Sequence, residues 1–581
     1  MSIIITAKQS HTAAKLPYGI SNFERLITER YAYVDKTRFI EQLEHEFNPY
    51  QLFIRPRTFG KSLFFTTLSC YYDLNYADKF ETLFKGLYIG KHPTPKHNNF
   101  TMLKFDFSGL DTSSVERFTA SFYDSIQKAL LDFVKAYQHL FSDSADIAEQ
   151  IKQTPQSISA LRTIFSAASF VNAKLFILID EYDHFVYDLI ALGTAGNNIY
   201  RNMIKANGIV RVFYETLKIG TKSVVNHIFI TGISPMMMND LASSFNIISN
   251  LSLNLQYNEM LGFSHDEINT FINASSIDRA LITMDMEHYY NGYLFNKHAS
   301  TRVYNPTMTL YCLNQIHSTQ LPPEDIINVN LRTNYSILHQ LAENEHNRTV
   351  LLNIMKNDTI TDEVAASFSI DEMYSEQYFA SLLFYMGLLT IDRVDQGITI
   401  LKPPNYSIRT IYWEYIELFT RNLNKNVIID SRKESAAIRA LAYNGDIDSY
   451  INYMSKNIFQ RLSDHDLIGF DEKYIKLMFL GSLFRSRLYV PSSKKEVEHG
   501  YIDIFLQRSP LFPDIPYEWV WELKYLKKAD ATEKQIVAVQ EAMRAQLARY
   551  RASSLFAGRD DVKFAAILFI GKEAYNIMHS A

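Results

Sequence analysis

The sequence predicts an α/β protein built from more than one domain. Between Leu16 and Phe263, short apolar runs of about four to seven residues alternate with amphipathic stretches, a pattern typical of strands followed by helices. Some runs, such as "LFILI" at 175–179, are apolar throughout, which indicates parallel strands covered by helices on both faces. The chain has 581 residues. Because a single core seldom exceeds about 300 residues, we expect about two to four domains.

The character of the sequence changes twice along the chain. Residues 1–263 carry the alternating pattern of a parallel sheet with helices on both faces. Residues 264–425 are mainly helical, with "EQYFASLLFYMGLL" (376–389) followed by the hairpin-like "TIDRVDQGITILKPPN", and we expect a helical, winged-helix-like region. Residues 426–581 form a second α/β unit, with a long helix expected from about Thr532 to Arg549. The sequence therefore predicts three domains with these bounds.

The composition is that of an ordinary globular protein. Hydrophobic residues make up 47% and charged residues 21%, and the net charge of −5 argues against coating of nucleic acid by bulk positive charge. Two cysteines are too few for a disulfide framework or a zinc site. The chain starts without the basic and apolar segments of a signal peptide and has no apolar run of about 18 residues. We therefore expect a cytoplasmic protein with no membrane partner.

The stretch "RPRTFGKSLFFTTL" (55–68) carries the Gly-Lys-Ser of a phosphate-binding loop between a predicted strand and a predicted helix. In such a loop, backbone N–H groups surround the phosphates, the lysine reaches the terminal ones and the hydroxyl holds Mg²⁺. Gly60, Lys61 and Ser62 are therefore candidate ligands of ATP and magnesium. Arg55, however, stands where the usual pattern has its first glycine.

Two later strands supply polar residues for the same site. "KLFILIDEYD" places Asp180 and Glu181 at the carboxyl end of an apolar strand, where ligands sit in open α/β sheets. Asp180 is predicted to hold Mg²⁺ through its water shell, and Glu181 to orient or deprotonate the attacking water. "HIFITGISP" ends near Thr231, which is suited to sensing the γ-phosphate. A solvated acidic turn and a structural strand-end hydroxyl remain the alternative interpretations.

A second constellation lies near the C-terminus, in "YIDIFL" (501–506) and "YEWVWELKY" (517–525). Residues i and i+2 of a strand share a face, so Glu522 and Lys524 project together, and we expect Asp503 beside them from the adjacent strand. Two converging carboxylates bind Mg²⁺ or Mn²⁺, and an ammonium group can orient or activate the attacking water. This is the D…ExK arrangement of the PD-(D/E)XK nuclease fold. An exposed strand face with alternating charges would show the same letters.

Further residues support the nuclease interpretation. Glu472 begins a predicted helix upstream and is a candidate additional metal ligand. "QLARY" places Gln546 and Tyr550 one helical turn apart on a shared face, at the Q-x-x-x-Y spacing seen in many nucleases of this fold. A set of basic residues is equally compatible with a groove for a nucleic-acid backbone and with an ordinary solvated surface. Its members are Lys494, Lys495, Lys527, Lys528, Lys534, Arg485 and Arg487.

Taken together, these motifs resemble those of bacterial AAA-ATPase-like proteins that carry a C-terminal PD-(D/E)XK nuclease-like domain. The resemblance extends over nearly the whole chain, through "LPYGISNFERLITERYAYVDKT", "FIRPRTFGKSLFFTTLSCYY", "LFILIDEYD", "FITGISPMMMNDLASSFNIISNLS", "YYNGYLFN" and "VYNP".

The resemblance has implications for individual residues. The family's loop reads like R-P-R-R-F-G-K-[ST], which implies that an arginine at position 55 is usual for the family. It also implies that "YVDKT" (33–37) helps to cover the nucleotide base, with Tyr33 or Val34 as packing surface. The alternative for Asp35 in this stretch is to cap a helix that begins at Lys36. The full predicted cofactor-binding set is Arg55, Arg57, Phe59, Gly60, Lys61, Ser62, Leu63 and Thr231.

The sequence departs from the family in one stretch. The family's usual E-s-G-x-G-R-x-D here reads "EVEHGYID", so that Glu498 replaces a glycine and Tyr501 an arginine. A missing arginine weakens a phosphate contact.

The predicted function is ATP binding and hydrolysis coupled to metal-dependent cleavage of nucleic-acid phosphodiesters. The alternative is a nucleotide-regulated binding or signalling module whose nuclease-like domain is a non-catalytic scaffold. ATP and DNA or RNA are the expected partners, and ATP with Mg²⁺ or Mn²⁺ the expected cofactors. Because no arginine finger can be chosen from the sequence, completion of the ATPase site by a homo-oligomer stays open.

Overall fold

The protein divides into two compact units. In the computed structural model, one unit comprises residues 1–354 and 358–408 and the other residues 355–357 and 409–581. The structure describes residues 4–5, 14–154, 157–205, 207–275, 277–328, 332, 337–374, 376–423, 430–461, 471–493, 495–498, 500–572 and 574–579. The predicted division into three domains at residues 263 and 425 stays a prediction. No helix in these ranges has the length and apolarity needed to cross a membrane.

A five-stranded parallel sheet lies at the centre of the first unit, as the apolar runs predicted. Its strands in spatial order are β4 (Thr101–Asp106), β5 (Leu175–Asp180), β6 (Val225–Gly232), β3 (Tyr50–Ile54) and β7 (Ser249–Asn250). All six residues of β5 are buried. Because β6 lies between β3 and β5, the carboxyl ends of these three strands meet at one edge of the sheet. A short pair of strands, β1 (Ile4–Ile5) and β2 (Tyr33–Val34), lies apart from this sheet.

Helices accompany the strands of this sheet. They are α1 (Phe23–Thr28), α2 (Arg38–Glu44), α3 (Lys61–Tyr72), α4 (Phe80–Phe84), α5 (Tyr88–Lys91), α6 (Val115–Ala136), α7 (Ser144–Gln153), α8 (Ser157–Phe170), α9 (His184–Ala191), α10 (Gly193–Ile204), α11 (Ile209–Gly220) and α12 (Met236–Leu241). The longest, α6, buries Phe118, Phe122, Ile126 and Leu130, which recur every fourth residue on one face.

The middle of the chain adds helices and a small antiparallel sheet to the same unit. The helices are α13 (His265–Ala274), α14 (Met286–Tyr290), α15 (Pro306–Thr319), α16 (Ile337–Leu341), α17 (Glu345–Asn357), α18 (Glu376–Tyr385) and α19 (Tyr406–Leu423); α17 and α19 also contain residues of the second unit. The sheet has the order β8 (Ile360–Thr361), β10 (Ile398–Lys402) and β9 (Thr390–Asp395).

The hairpin predicted from "TIDRVDQGITILKPPN" is present as β9 and β10. Its two turn residues, Gln396 and Gly397, have φ of 50° and 87°. Two positive φ angles are typical of a type I′ turn, whose twist suits a two-residue hairpin. The winged-helix-like character of the whole middle region stays a prediction.

The second unit is built around a mixed five-stranded sheet. Its strands in spatial order are β11 (Tyr489–Ser492), β14 (Ile504–Arg508), β15 (Glu518–Leu526), β16 (Val562–Ile570) and β17 (Ala574–His579), and only β15 and β16 run parallel. A hairpin of β12 (Lys495–Val497) and β13 (Gly500–Ile502) stands apart from it. The helices are α20 (Ser431–Arg439), α21 (Ile447–Asn457), α22 (Glu472–Arg485) and α23 (Glu533–Ala552). The mixed α/β class predicted from the sequence is thus confirmed.

The prediction of one continuous strand over 501–506 is wrong. A bend at Asp503 separates β13 from β14. The cause lies in the neighbouring strand, because Asp503 Oδ2 accepts a hydrogen bond from the backbone N–H of Leu523 at 3.0 Å. The pairing of β14 with β15 ends at Ile504 with Trp521. Just beyond that pair, the Asp503 side chain accepts the hydrogen bond that a backbone carbonyl would accept in a continued strand.

Candidate functional sites

The chain turns tightly from β3 into α3 through residues 55–60. Gly60 is the N-cap of α3 with φ of 89°, and Thr58 also has a positive φ, of 70°. Glycine adopts this conformation without steric penalty, which explains its place directly before Lys61. The predicted strand, loop and helix are therefore present, with a tight turn directly before the N-terminus of α3.

Lys61 is buried and held by the loop itself. Its Nζ donates hydrogen bonds to the carbonyl oxygens of Arg55 and Pro56, each at 3.0 Å. Burial lowers the pKa of Lys61, and the nearby carboxylates of Glu181 and Asp180 act in the opposite direction. Both of these hydrogen bonds go to neutral carbonyls, which an anionic ligand can outcompete.

Asp180 lies beside Ser62, as the two motifs predicted. Its carboxylate accepts a hydrogen bond from the hydroxyl of Thr231. Burial raises the pKa of Asp180, while the neighbouring hydroxyls of Thr231 and Ser62 act to lower it. Hydroxyl and carboxylate oxygens are hard ligands, so this donor set fits Mg²⁺.

Glu181 follows Asp180 in the left-handed conformation, with φ of 53°. Its Oε2 lies 2.9 Å from Nδ1 of His184 in the first turn of α9. Burial alone raises the pKa of Glu181, but the hydrogen bond from His184 and the charges of Lys61 and Arg57 outweigh it and hold the pKa at about 2. Glu181 is therefore ionised at neutral pH.

A cavity of about 280 Å³ opens beside the loop. Gly60, Lys61, Ser62 and Leu63 line one side of it, and Glu181 also reaches it. Other lining residues come from Pro17–Ser21, from Tyr33 and Val34, and from the middle region at 261–263 and 306–307. A mainly apolar cavity next to a phosphate loop suits the base and sugar of a nucleotide.

Lys524 lies at the centre of the C-terminal constellation. Its Nζ is 3.2 Å from Oε1 of Glu472, 3.4 Å from Oε1 of Glu522 and 4.0 Å from Oδ2 of Asp503. Burial alone lowers the pKa of Lys524, but the charges of Asp503, Glu522 and Glu472 raise it above its usual value. Lys524 is therefore a cation at neutral pH.

The carboxylates of this cluster repel one another. Burial and the charge of Asp503 raise the pKa of Glu522 to about 7, and burial raises the pKa of Glu472. A divalent cation relieves such repulsion, so the oxygen-rich donor set of Glu472, Asp503 and Glu522 is of the type that Mg²⁺ or Mn²⁺ prefers. Within the described residues, no three acidic, histidine or cysteine side chains are arranged closely enough to hold a metal as they stand.

Helix α23 contributes Gln546 and Tyr550 to the same cluster. The hydroxyl of the buried Tyr550 lies 2.6 Å from the carbonyl oxygen of Tyr501 and 3.0 Å from Oε2 of Glu522, and its one proton is shared between these two acceptors. Gln546 hydrogen bonds to Tyr550. The predicted helix is present over Glu533–Ala552 with Thr532 as its N-cap.

Comparisons with known proteins give a match for each of the two regions that carry these candidate sites. Residues 17–242 match the model of a family described as "Predicted AAA-ATPase", and residues 470–579 match that of the PD-(D/E)XK nuclease superfamily. The chain combines an AAA-ATPase-like domain with a PD-(D/E)XK nuclease-superfamily domain. A relative named "Uncharacterized protein in vnfD 5'region", from Azotobacter chroococcum mcd 1, is 25% identical over 408 residues, which cover 68% of this chain and 67% of the relative.

In the AAA-ATPase-like domain, the structure corrects the expected role of Arg55. Its guanidinium is buried and donates to the backbone carbonyls of Ile54, Ser252 and Tyr257 at 2.7–2.9 Å. It also lies against the rings of Phe53 and Phe295, so it neither faces phosphates nor pairs with an acidic residue. The buried Phe59 likewise packs its ring on Tyr293 and Phe295, although it borders the cavity.

Two functional residues escaped the sequence analysis. His184 follows Glu181 by three residues, a spacing that signals a contact once α9 is known to begin there. In the nuclease-superfamily domain, Lys476 lies one turn after Glu472 on α22 and its Nζ is 3.2 Å from Oδ1 of Asp503. Residues four apart on a helix share a face, so the spacing of Glu472 and Lys476 could have placed Lys476 beside this cluster.

The predicted basic groove is only partly described. Lys494 lies outside the described residues. The partly exposed Arg485 donates to the buried Glu434 in the second unit, so its guanidinium is paired with a carboxylate.

Proposed function

We propose that the protein binds and hydrolyses ATP at residues 57–63, 180–181 and 231, and cleaves nucleic-acid phosphodiesters at the cluster around Lys524. The observation that carries the proposal is the assembly of both sets from distant parts of the sequence: Ser62 with Asp180, and Lys524 with three carboxylates. Chance surface charges do not converge in this way, from distant segments, around the buried carboxylates of Asp180 and Glu522.

At the ATP site, Lys61 binds the terminal phosphates and Arg57 adds positive charge beside them. Ser62 and Asp180 hold Mg²⁺, which supplies charge stabilisation to the phosphates. Glu181 accepts a hydrogen bond from the attacking water and thereby orients it, since its low pKa keeps it ionised. Thr231 holds Asp180 in place. Tyr33 and Val34, which line the cavity, pack against the base.

At the nuclease site, Asp503, Glu522 and Glu472 hold the divalent cation, which supplies Lewis-acid stabilisation to the scissile phosphate. The charged Lys524 stabilises the negative charge that develops on the phosphate oxygens. Tyr550, hydrogen bonded by Gln546, fixes the orientation of Glu522 through its hydroxyl. Each side chain thus has a role that its contacts support.

The ATPase half is tested with the Lys61→Ala variant. We expect the purified full chain to hydrolyse ATP with Mg²⁺, and Lys61→Ala to lose turnover because the terminal phosphates lose their cation. Lys91→Ala, an exposed lysine in α5, is the matched control and should retain full activity. Equal turnover by the Lys61 variant would refute the assignment of the loop.

The nuclease half is tested on single- and double-stranded DNA and RNA, with Mg²⁺ or Mn²⁺, and with or without ATP. Cleavage by the full chain that is absent in Lys524→Ala supports the proposal. A change in cleavage rate on addition of ATP supports coupling between the two activities, which Lys61→Ala should abolish.

One observation favours a scaffold instead of a nuclease. Tyr501 stands where the family has an arginine and is 60% exposed, so this surface position offers no cation to a phosphate. Glu498, which replaces a glycine of the family, accepts a hydrogen bond from the backbone N–H of Ser554. Binding of nucleic acid without cleavage under all of these conditions would favour this second function.

A further inference from the structure

The phosphate loop is enclosed by residues from the middle of the chain. The guanidinium of Arg55 bonds the carbonyls of Ser252 and Tyr257, and Pro56 packs so closely on Gly387 that a Cβ there would lie 2.8 Å from Cβ of the proline. Gly387 has φ of 77°, a conformation that glycine favours. The shape of the loop therefore depends on segments far along the chain, around residues 252–257 and at Gly387.

Thr58 is the most strained point of this loop. It is β-branched, yet it has φ of 70°, a conformation that such residues rarely adopt. Strain of this kind persists only where the surrounding contacts impose it. The contacts of Thr58 therefore show what holds the loop in shape.

The hydroxyl of Thr58 donates to the carbonyl of Arg57, and two residues at the start of α15 supply its contacts from outside the loop. Nδ2 of the buried Asn305 donates to the hydroxyl of Thr58 at 3.0 Å, and the hydroxyl of Thr307 donates to the carbonyl of Thr58 at 2.9 Å. Asn305 is itself fixed, because its Oδ1 accepts from the N–H of Met308 as the N-cap of α15 and its N–H donates to the carbonyl of Tyr290.

The same residues border the ligand cavity. Thr58 and Thr307 both line it, together with Gly60, Lys61 and Ser62. A change in the position of α15 therefore reaches the loop and the cavity wall together.

We propose that Asn305 and Thr307 are positioning residues for nucleotide binding, which hold Thr58 in its left-handed conformation and so keep the loop open to phosphates. This inference rests on the proposed function of the loop as an ATP site. It assigns the "VYNP" stretch a role in the AAA-ATPase-like domain although it lies outside residues 17–242. By linkage, bound nucleotide strengthens the contacts of Thr58 with α15 in return.

The test uses variants that leave the helix cap and the packing in place. Asn305→Ser keeps an N-cap acceptor for Met308 but removes the donor to Thr58. Thr307→Val has nearly the same volume and removes only the hydroxyl. Asn344→Ser is the matched control, since Asn344 caps α17 in the same way and does not line the cavity.

We expect Asn305→Ser and Thr307→Val each to weaken ATP binding about tenfold, the effect of one lost hydrogen bond. KM for ATP should rise with kcat unchanged, because neither residue contacts Glu181 or the reacting phosphate. Asn344→Ser should bind like the parent chain. Hydrogen exchange at the N–H of Met308 should slow on addition of ATP in the parent chain and not in Asn305→Ser.

A double-mutant cycle with Thr58→Gly separates positioning from a general loss of stability. Glycine adopts the positive φ without help and lacks the hydroxyl, so Asn305→Ser should have no further effect on ATP affinity in that background. Full additivity, or parent-like affinity of both Asn305→Ser and Thr307→Val, would overturn the inference and leave the ATP site standing. Absence of ATP binding by the parent chain would instead overturn the proposed function.

Discussion

Nζ of Lys524 lies 3.4 Å from Oε1 of Glu522, two residues earlier on the same strand, and the ammonium group also contacts Glu472. Lys524, together with Lys476 beside Asp503, thus compensates a cluster of carboxylates that burial would otherwise destabilise. The balance is incomplete, because the pKa of Glu522 remains raised to about 7. The site carries excess negative charge, as a site for a divalent cation requires.

Replacement of Glu522 by glutamine should separate function from stability. Glu522→Gln keeps an acceptor for Tyr550 but removes the charge that Asp503 opposes. We expect cleavage to be lost while the melting temperature at pH 8 stays equal or rises, because like-charge repulsion is relieved. Thermal unfolding and a cleavage assay on the same preparation check this. A large fall in melting temperature would show that Glu522 is primarily structural.

Replacement of Glu181 by glutamine should uncouple ATP binding from turnover. Glu181→Gln keeps the size of the side chain but removes the negative charge that orients water, so we expect hydrolysis to fall about 10²- to 10⁴-fold. ATP affinity should change little, since Lys61 and Ser62 are untouched. Equilibrium binding and steady-state turnover measure the two effects. Parallel losses of affinity and turnover would contradict the assigned role.

Arg55 should matter for stability more than its neighbour Arg57 does. Arg55→Ala removes a buried cation from three carbonyls and from the rings of Phe53 and Phe295, and we expect the free energy of unfolding to fall by about 3 kcal/mol or more. Arg57→Ala should change it by less than about 1 kcal/mol and should instead weaken ATP binding. Urea unfolding of both variants provides the comparison. Equal destabilisation would refute this distinction.

The sequence predicts those parts of the two sites that depend on local strand or helix periodicity. Glu522 and Lys524 share a strand face, and Gln546 and Tyr550 share a helix face, because periodicity alone decides both. The bend at Asp503 depends instead on the N–H of Leu523, twenty residues later. The burial of Arg55 depends on carbonyls about 200 residues away. Neither long-range contact leaves a periodic trace in the sequence.

His227 should make the stability of the first unit depend on pH. Its ring packs against the rings of Phe100 and Phe176, and Nζ of Lys96 is 3.3 Å from Nε2. Burial, with a contribution from the charge of Lys96, lowers the pKa of His227 from 6.5 to about 4. The unfolded chain therefore binds this proton more readily than the folded one.

Above pH 6.5, His227 is neutral in both states and costs no stability. As the pH falls from 6.5 towards 4, protonation of the unfolded chain lowers the free energy of unfolding by about 3 kcal/mol in total. His227→Gln keeps an acceptor for Lys96 but does not titrate. Urea unfolding at pH 7 and pH 4.5 should therefore show a smaller loss in the variant. Identical losses in the two proteins would show that other groups set the pH dependence.

Lys476 should set the affinity of the nuclease site for its cation. Its Nζ is 3.2 Å from Oδ1 of Asp503, while Oδ2 of that carboxylate accepts from the N–H of Leu523. Both oxygens of a candidate metal ligand are thus engaged, and Lys476 competes directly with a cation for one of them. Lys476→Ala frees that oxygen and removes a positive charge.

We therefore expect Lys476→Ala to bind Mn²⁺ more tightly and yet to cleave more slowly at saturating Mn²⁺, because a cation near the phosphate is lost. Lys473→Ala, on the same helix but with its Nζ bonded to Asn357, is the matched control and should change neither quantity. Calorimetric titration with Mn²⁺ and cleavage rates measure the two effects. Weaker Mn²⁺ binding in Lys476→Ala would show that Lys476 orients Asp503 for the cation rather than competing with it.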